Sequence, residues 1–158
     1  MLPLYSKLSR KRGEREQGLH DWVIQERIRL SYGKLRTEGH TICANLGQQH
    51  NCDVEGLYPD IVTFNRNTGR PIIIDEIETF VDEPEFEEWK PFGKLKLRFV
   101  VTVPATEIHQ TIDEIERRTI PVNEIWTYST DGVTIDFTKS PWPYRVATAS
   151  EQSSLSIS

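Results

Sequence analysis

The 158-residue sequence predicts a single α/β domain with a mixed central sheet flanked by helices. Helix-like and strand-like segments alternate along the chain, and the strand-like ones are rich in β-branched residues. A strand-helix-strand unit over residues 95–128 predicts that part of the sheet is parallel, because such units join neighbouring parallel strands by a right-handed crossover. The length suits one domain with a sizeable core.

The first half of the chain is predicted to contain one long helix followed by three strands. Apolar residues recur at helical spacing through residues 13–38, and Gly39 then ends the helix. β-branched and aromatic residues between polar, Gly-containing breaks indicate the strands. These strands are predicted at residues 41–46, 58–64 and 71–78.

The second half is predicted to alternate between helices and strands. Pro84 near a helix start, with aromatic residues three apart, indicates a short acidic helix over residues 83–92. Ile108, Ile112 and Ile115 at i, i+4 and i+7 indicate an amphipathic helix. The remaining strands are predicted at residues 95–103, 125–128 and 133–137, the last two joined by an Asp131-Gly132 turn.

Charge and composition distinguish the two ends from the middle of the chain. Residues 1–40 carry nine Lys or Arg and five Asp or Glu, whereas residues 41–90 carry three and eleven. We expect a basic arm over residues 1–12, the α/β domain over residues 13–145 and a Ser-rich, disordered tail over residues 146–158. This distribution argues against polyanion binding by the whole surface but fits a carboxylate site beside a local phosphate-binding patch.

Cysteine content and hydropathy predict the compartment. Only two cysteines occur, and no apolar run approaches the roughly 18 residues that span a bilayer. The first residues lack a signal-peptide pattern. The sequence therefore predicts a protein of a reducing, cytoplasmic compartment without membrane association.

Two strand-like segments carry carboxylates where apolar or neutral residues are usual. One carries Asp60 near its start, and the other ends with Asp75, Glu76 and Glu78. Alternate side chains of a strand share a face, so Ile72, Ile74, Glu76 and Glu78 should point one way and Ile73, Asp75 and Ile77 the other. Two neighbouring negative charges need a positive group between them, and a divalent cation is the usual one.

The Pro59-Asp60 pair, the hairpin and the Glu76-x-Glu78 triplet together resemble the PD-(D/E)XK nuclease superfamily. The resemblance covers the layout of residues 15–130 and implies a restriction endonuclease-like core of helix, three strands, helix and strand. It also implies a metal-dependent endonuclease that hydrolyses DNA phosphodiester bonds. Asp60 and Glu76 match the two acids of the motif, and Glu78 stands where the family usually has Lys.

Candidate metal ligands follow from this alignment of motifs. Asp60 and Glu76 would bind Mg²⁺ or Mn²⁺, which prefer hard oxygen ligands, with the Ile77 carbonyl as a further ligand. The resemblance implies a Glu from the first helix as well. Glu26 is the candidate because it falls in the middle of an apolar arc, while Glu16 is the rival and lies about 35 Å from Gly39 by axial rise.

The role of Glu78 stays open at this point. It would bind a second ion or act as a general base, or else Lys90 or Lys94 would take over the role of the missing Lys. The competing interpretation is a solvent-facing acidic edge or the relic of an inactive site. The chain would then be a catalytically inactive nuclease-fold module that binds nucleic acid or a protein partner.

The expected partner is DNA, with Lys11, Arg12 and Arg15 touching phosphates. No separate target-recognition domain fits in this length, which favours a structure-selective or repair-type role, with a homodimer as one possibility.

Other polar and aromatic residues receive simpler interpretations. His40, Cys43, His50 and Cys52 loosely resemble a zinc site, but their spacing differs from regular zinc motifs, and a buried Cys43 among loop residues with unrelated roles is favoured. His20 and His109 are expected on helix surfaces. The residues Trp89, Trp126 and Trp142 are expected to pack in the core or at its edge rather than to stack bases.

Overall fold

The computed structural model describes residues 12–143 as four α-helices and six strands. The helices are α1 (Glu14–Ser31), α2 (Gly33–Thr37), α3 (Glu83–Gly93) and α4 (Ile108–Arg118), with a 3₁₀ turn at Ala105–Glu107. The strands are β1 (Thr41–Ala44), β2 (Ile61–Phe64), β3 (Pro71–Ile77), β4 (Arg98–Pro104), β5 (Glu124–Thr130) and β6 (Ile135–Lys139). The predicted disordered tail and the basic arm, apart from Arg12, lie outside the described residues.

The six strands form one mixed sheet in sequence order. β1, β2 and β3 pair antiparallel, β3, β4 and β5 pair parallel, and β6 pairs antiparallel with β5. The predicted strand-helix-strand unit is confirmed, since α4 connects the parallel strands β4 and β5. The α/β class with a mixed sheet flanked by helices is therefore confirmed.

The sheet separates two apolar cores. On one face α1 and α2 cover Ile61, Ile73, Ile77 and Val100, while on the other α3 and α4 cover the side chains of Ile74 and Phe99 among others. Trp89 is fully buried in the second core, and Trp126 and Trp142 pack at the edges of the two cores as predicted.

The predicted first helix is interrupted at Tyr32. α1 ends at Ser31, and Tyr32 has φ −106° and ψ 2° before α2 begins. The Tyr32 hydroxyl is buried and donates to Asp75 Oδ2 at 2.8 Å. The break places this hydroxyl against the sheet. Gly39 ends the helical segment as predicted, with φ +96°, a value that glycine adopts without strain.

The alternation predicted for β3 holds from Ile73 onward. An irregularity opposite Thr63 and Phe64 shifts the pairing, so that Phe64 pairs with Pro71 and Thr63 with Ile73. Ile72 is the extra residue and packs on the same core as Ile73. A β-bulge of this kind changes the face to which preceding side chains point.

Asp75 is completely buried on the α1 face and is compensated by three donors. Arg27 Nε donates to Oδ2 at 3.0 Å, and the hydroxyls of Tyr32 and Thr102 donate at 2.8 and 2.9 Å. The Arg27 guanidinium also lies 4.3 Å from the Trp126 ring. Burial raises the pKa of Asp75, although Arg27 and the hydroxyls oppose the shift.

We expect Arg27→Ala to destabilise the protein by about 3–5 kcal/mol, because it leaves the buried Asp75 without its cation. Urea unfolding measures the change. The control is Arg29→Ala, two residues further along α1 than Arg27. It removes an exposed ion pair with Glu26 and should lower stability by less than about 1 kcal/mol. Equal losses in the two variants would contradict the role given to the buried pair.

Cys43 and Cys52 form a disulfide between β1 and the following loop. This pairing was not predicted, and disulfides are uncommon in reducing compartments. The cytoplasmic location stays a prediction that this bond argues against. Within residues 12–143, no helix is long and apolar enough to cross a membrane.

The loosely zinc-like set of residues does not assemble into a site. The two cysteine sulfurs bond to each other, which removes both thiolate ligands. His40 Nδ1 accepts a hydrogen bond from the Arg66 N–H, and the ring of His50 stacks on Tyr58. The two histidines therefore have separate structural roles, as favoured from the sequence, whereas Cys43 is only partly buried and shares one bond with Cys52.

Candidate metal centre

Asp60, Glu76 and Glu78 meet at the carboxyl end of β3. One carboxylate oxygen of each lies within 4.8 Å of the others, and in residues 12–143 this is the only such group of acids, histidines or cysteines. Glu76 is 6% and Glu78 1% exposed. Two buried acids distinguish the cluster from the solvent-facing acidic edge that was the alternative interpretation.

Backbone hydrogen bonds fix Asp60 against Glu76. The Asp60 N–H donates to Glu76 Oε1 at 3.0 Å, and the Ile77 N–H donates to Asp60 Oδ2 at 2.7 Å. Asp60 directly precedes β2, where Ile61 pairs with Asp75 of β3. The register of the hairpin therefore brings the two carboxylates together, and the two backbone hydrogen bonds hold one oxygen of each.

Glu78 follows the last residue of β3 and is held from three directions. Its N–H donates to the Thr102 carbonyl at 2.9 Å, and its own carbonyl accepts from the Tyr128 hydroxyl at 2.8 Å. Trp89 Nε1 lies 3.4 Å from its Oε1. Oε2 is buried without a hydrogen-bond partner and has Arg12 at 3.5 Å.

His20 lies beside the cluster and was wrongly expected on the helix surface. Its side chain is 2% exposed, with Nε2 at 3.3 Å from Asp60 Oδ1 and Nδ1 at 3.3 Å from Asp21 Oδ1. The Nε2 contact is an ion-pair contact rather than a well-aligned hydrogen bond. Burial lowers the pKa of His20, but Asp60 and Asp21 more than offset this, and the net pKa is raised.

The cluster holds more negative charge than its neighbours balance. Burial raises the pKa of Glu76 well above its ordinary value, and the nearby Asp60, Glu78 and Glu88 raise it further. Burial likewise raises the pKa of Glu78, and Arg12 offsets this only partly. Without a further cation these acids retain protons that isolated carboxyl groups would lose.

The donor set and spacing fit a hard divalent ion. Two oxygens on opposite sides of one ion are about 4.2 Å apart for Mg²⁺ and about 4.6–5.2 Å apart for Ca²⁺, which is twice the bond length. The three oxygens lie within 4.8 Å of one another, close enough together to share one ion of this class. The buried Oε2 of Glu78 also lacks a hydrogen-bond donor, which a cation would replace.

The comparisons with known proteins give no match. No family model, curated protein or solved structure matches the chain. The interpretation of the cluster therefore rests on its own geometry and chemistry.

Glu26 does not belong to the cluster, and its inward orientation was predicted wrongly. Its carboxylate pairs with Arg29 at 2.5 Å on a partly exposed face of α1. The buried face of α1 consists of His20, Val23, Ile24 and Arg27. Because two of these are polar, the apolar arc drawn from the sequence was centred on the wrong side of the helix.

Glu16 is closer to the cluster than the sequence argument allowed. Its Oε1 accepts a hydrogen bond from Thr79 Oγ1 at 2.6 Å, next to Glu78. The sequence argument used the axial distance between Glu16 and Gly39. After Gly39, however, β1 runs back along α1, so the start of α1 lies beside the cluster. The Gly47 N–H donates to Asp21 at 3.1 Å, in agreement with this path.

The other predicted site residues are distributed unevenly. Lys90 Nζ pairs with Glu87 at 2.9 Å, and Lys94 is exposed, so neither lies at the cluster. Arg12 is at the cluster, Arg15 is exposed, and Lys11 lies outside the described residues. The Ile77 carbonyl as a ligand stays a prediction.

We expect Glu76→Gln to stabilise the metal-free protein and to remove its response to metal. An acid with a raised pKa in the folded state binds more protons than when unfolded, so stability falls as pH rises above the ordinary value of 4.5. In EDTA the Tm of the wild type should therefore fall more steeply between pH 5 and pH 9 than that of Glu76→Gln. At the upper end the variant should melt about 2–6 °C higher.

Saturating Mn²⁺ should raise the Tm of the wild type by about 5–10 °C at 100 times its Kd, and that of Glu76→Gln by much less. Glu26→Gln is the control, since its pair with Arg29 lies on the partly exposed surface, and should behave as wild type. A Glu76→Gln variant with the same metal response as wild type would refute the metal centre.

Proposed function

We propose that the chain is a divalent metal-dependent endonuclease that hydrolyses DNA phosphodiester bonds at the Asp60, Glu76 and Glu78 cluster. The observation that carries the proposal is the convergence of three carboxylates, two of them buried, within 4.8 Å. Burying several negative charges together lowers the stability of the folded protein unless a bound cation offsets them. Acids with pKa values perturbed in this way concentrate at functional sites.

Asp60 and Glu76 are the residues that would hold Mg²⁺ or Mn²⁺. A bound ion would lower the pKa of a water molecule and offset negative charge on the scissile phosphate. Asp60 and Glu76 are suited to this role because a backbone N–H fixes one oxygen of each, which restricts where the other oxygen points. His20 Nε2 contacts the second oxygen of Asp60, Oδ1, while Asp21 faces the other ring nitrogen and so helps to orient the imidazole.

Glu78 is proposed as a further ligand or as the general base. Its buried Oε2 lacks a hydrogen-bond partner, and its raised pKa brings the carboxyl group nearer to the range in which a base works at neutral pH. Trp89 and the Thr102 carbonyl hold it in place. Glu78 therefore replaces the Lys of the resembled motif with a group of opposite charge.

Arg12 is proposed to supply the positive charge that this Lys would have provided. Its guanidinium lies 3.5 Å from Glu78, and its Nε is buried without a hydrogen-bond partner. A guanidinium with an unused N–H donor next to a metal centre suits a phosphate oxygen. Arg12 is thus the phosphate contact that the described part of the basic arm brings to the site, with Lys11 and Arg15 as further predicted contacts.

The element order supports the nuclease assignment. A helix, three antiparallel strands, a helix and a parallel strand follow one another, which is the layout that the resemblance to the PD-(D/E)XK superfamily implies. The cluster also lies at the carboxyl end of β3, beside the parallel strand β4, where ligands commonly bind in α/β sheets. A homodimer stays a proposal that the oligomeric state in solution would test.

The second candidate is a catalytically inactive module of the same fold that binds nucleic acid or a protein partner. The observation in its favour is that Lys90 and Lys94, the expected substitutes for the motif's Lys, both lie away from the cluster. This candidate predicts metal binding without cleavage. The cleavage assay below separates the two.

Incubated with plasmid, single-stranded and branched DNA plus Mn²⁺, the wild type should cut at least one substrate. Glu76→Gln should lower the rate by a factor on the order of 10² or more, because losing a ligand removes the activated water. Glu78→Gln should do the same as loss of a ligand or base. Rates from gel assays measure both effects.

Glu26→Gln is again the matched control and should cut at the wild-type rate. Intact DNA throughout, from a protein whose Tm responds to Mn²⁺, would favour the inactive module. Cleavage that survives in Glu76→Gln would show that the activity comes from elsewhere.

We expect Arg12→Ala to lower kcat/KM by roughly 10- to 100-fold, because it removes a charge-assisted bond to phosphate. Arg12→Lys should recover part of the loss by keeping the charge. Arg15→Ala changes an exposed residue three positions further along the chain and should alter kcat/KM no more than about threefold. Equal effects of Arg12→Ala and Arg15→Ala would reduce the role of Arg12 to general attraction of DNA.

A further inference from the structure

An exposed pair of aromatic rings lies beside the carboxylate cluster. The rings of Tyr58 and His50 are stacked, with centroids 3.8 Å apart and planes 11° from parallel. Tyr58 is still 39% exposed although His50 covers one side of it. Tyr58 precedes the metal-ligand candidate Asp60 by two residues, so their Cα atoms are at most about 7 Å apart.

The backbone around this pair is held firmly. Asn45 Nδ2 donates to the carbonyls of Cys52 and Pro59 at 2.7 Å each, and Asn45 Oδ1 accepts from the Cys52 N–H at 2.9 Å. Pro59, directly after Tyr58, is buried. An exposed ring on a fixed backbone loses little conformational entropy when it binds a flat partner.

The neighbouring groups indicate which flat partner suits this surface. Exposed aromatic rings next to a phosphate-binding site stack nucleobases, and stacking tolerates any base because every base has a π-face. A base inside a duplex is already stacked on its neighbours and does not present that face. The pair is therefore suited to an unpaired base whose backbone continues toward Asp60 and Arg12.

We propose that Tyr58, backed by His50, is a stacking platform for an unpaired nucleobase next to the scissile phosphate. The preferred substrate is accordingly single-stranded DNA or DNA with a flap or gap, rather than intact duplex. This inference rests on the proposed nuclease function, because the carboxylate cluster is taken as the point of phosphate contact. Binding should need a divalent ion, since the acids otherwise repel the backbone.

The test measures binding of a 12-nucleotide single strand that contains 2-aminopurine, with Ca²⁺ as the ion and gels to verify that the strand stays intact. Stacking on the protein should change the 2-aminopurine fluorescence. Tyr58→Ala should weaken binding roughly 5- to 100-fold, the range for loss of one stacked base, and Tyr58→Phe should bind as wild type. Val133→Ala, at a highly exposed apolar residue in the β5–β6 turn, is the control and should change nothing.

Two comparisons separate this inference from the proposed function. If Tyr58→Ala binds and cuts single strands like wild type while Glu76→Gln does not cut, the platform is refuted and the nuclease stands. If binding depends on Tyr58 but no DNA is cut, the platform stands and the chain is the inactive module. Equal affinity of the wild type for single strands and for intact duplex would also overturn the platform.

Discussion

The end of β3 imposes the central constraint on this structure, because residues 75–78 bring three carboxylates into the interior. Asp75 is buried on the α1 face, whereas Glu76 and Glu78 are buried at the cluster with Asp60. Buried carboxylates are tolerated only when donors or cations compensate them. Much of the surrounding structure, including the break at Tyr32 and the burial of Arg27, provides that compensation.

The buried carboxyl groups on β3 and at its end differ in how far hydrogen-bond donors and cations compensate their charge. Asp75 has a guanidinium and two hydroxyls, so its environment is complete and serves stability. For Glu76 and Glu78, neighbouring carboxylates add to the effect of burial and raise their pKa values further, and Glu78 Oε2 has no hydrogen-bond partner. One strand thus carries a fully compensated acid on one side and incompletely compensated acids at its end, while α1 contacts Asp75 through Arg27 and Asp60 through His20.

Periodicity predicted the helices, the strands and the carboxylate cluster, because side-chain alternation in β3 and the pairing of a short hairpin follow from local sequence. It failed where polar residues are buried. His20 and Arg27 occupy the inner face of α1, and a pattern built on apolar residues moved that face toward Glu26. The disulfide and the position of Glu16 depend on how distant segments return to one another, which spacing along the chain does not encode.

The loop that leads to Asp60 is closed twice, once by the Cys43–Cys52 bond and once by the amide of Asn45. The two closures differ chemically, since an amide hydrogen bond does not respond to reductants. Reduction of the disulfide therefore leaves the second closure intact, and the backbone of Cys52 and Pro59 stays tied to β1. The segment before Asp60 thus has one covalent tie and one hydrogen-bonded tie to the end of β1, and only the covalent tie responds to redox conditions.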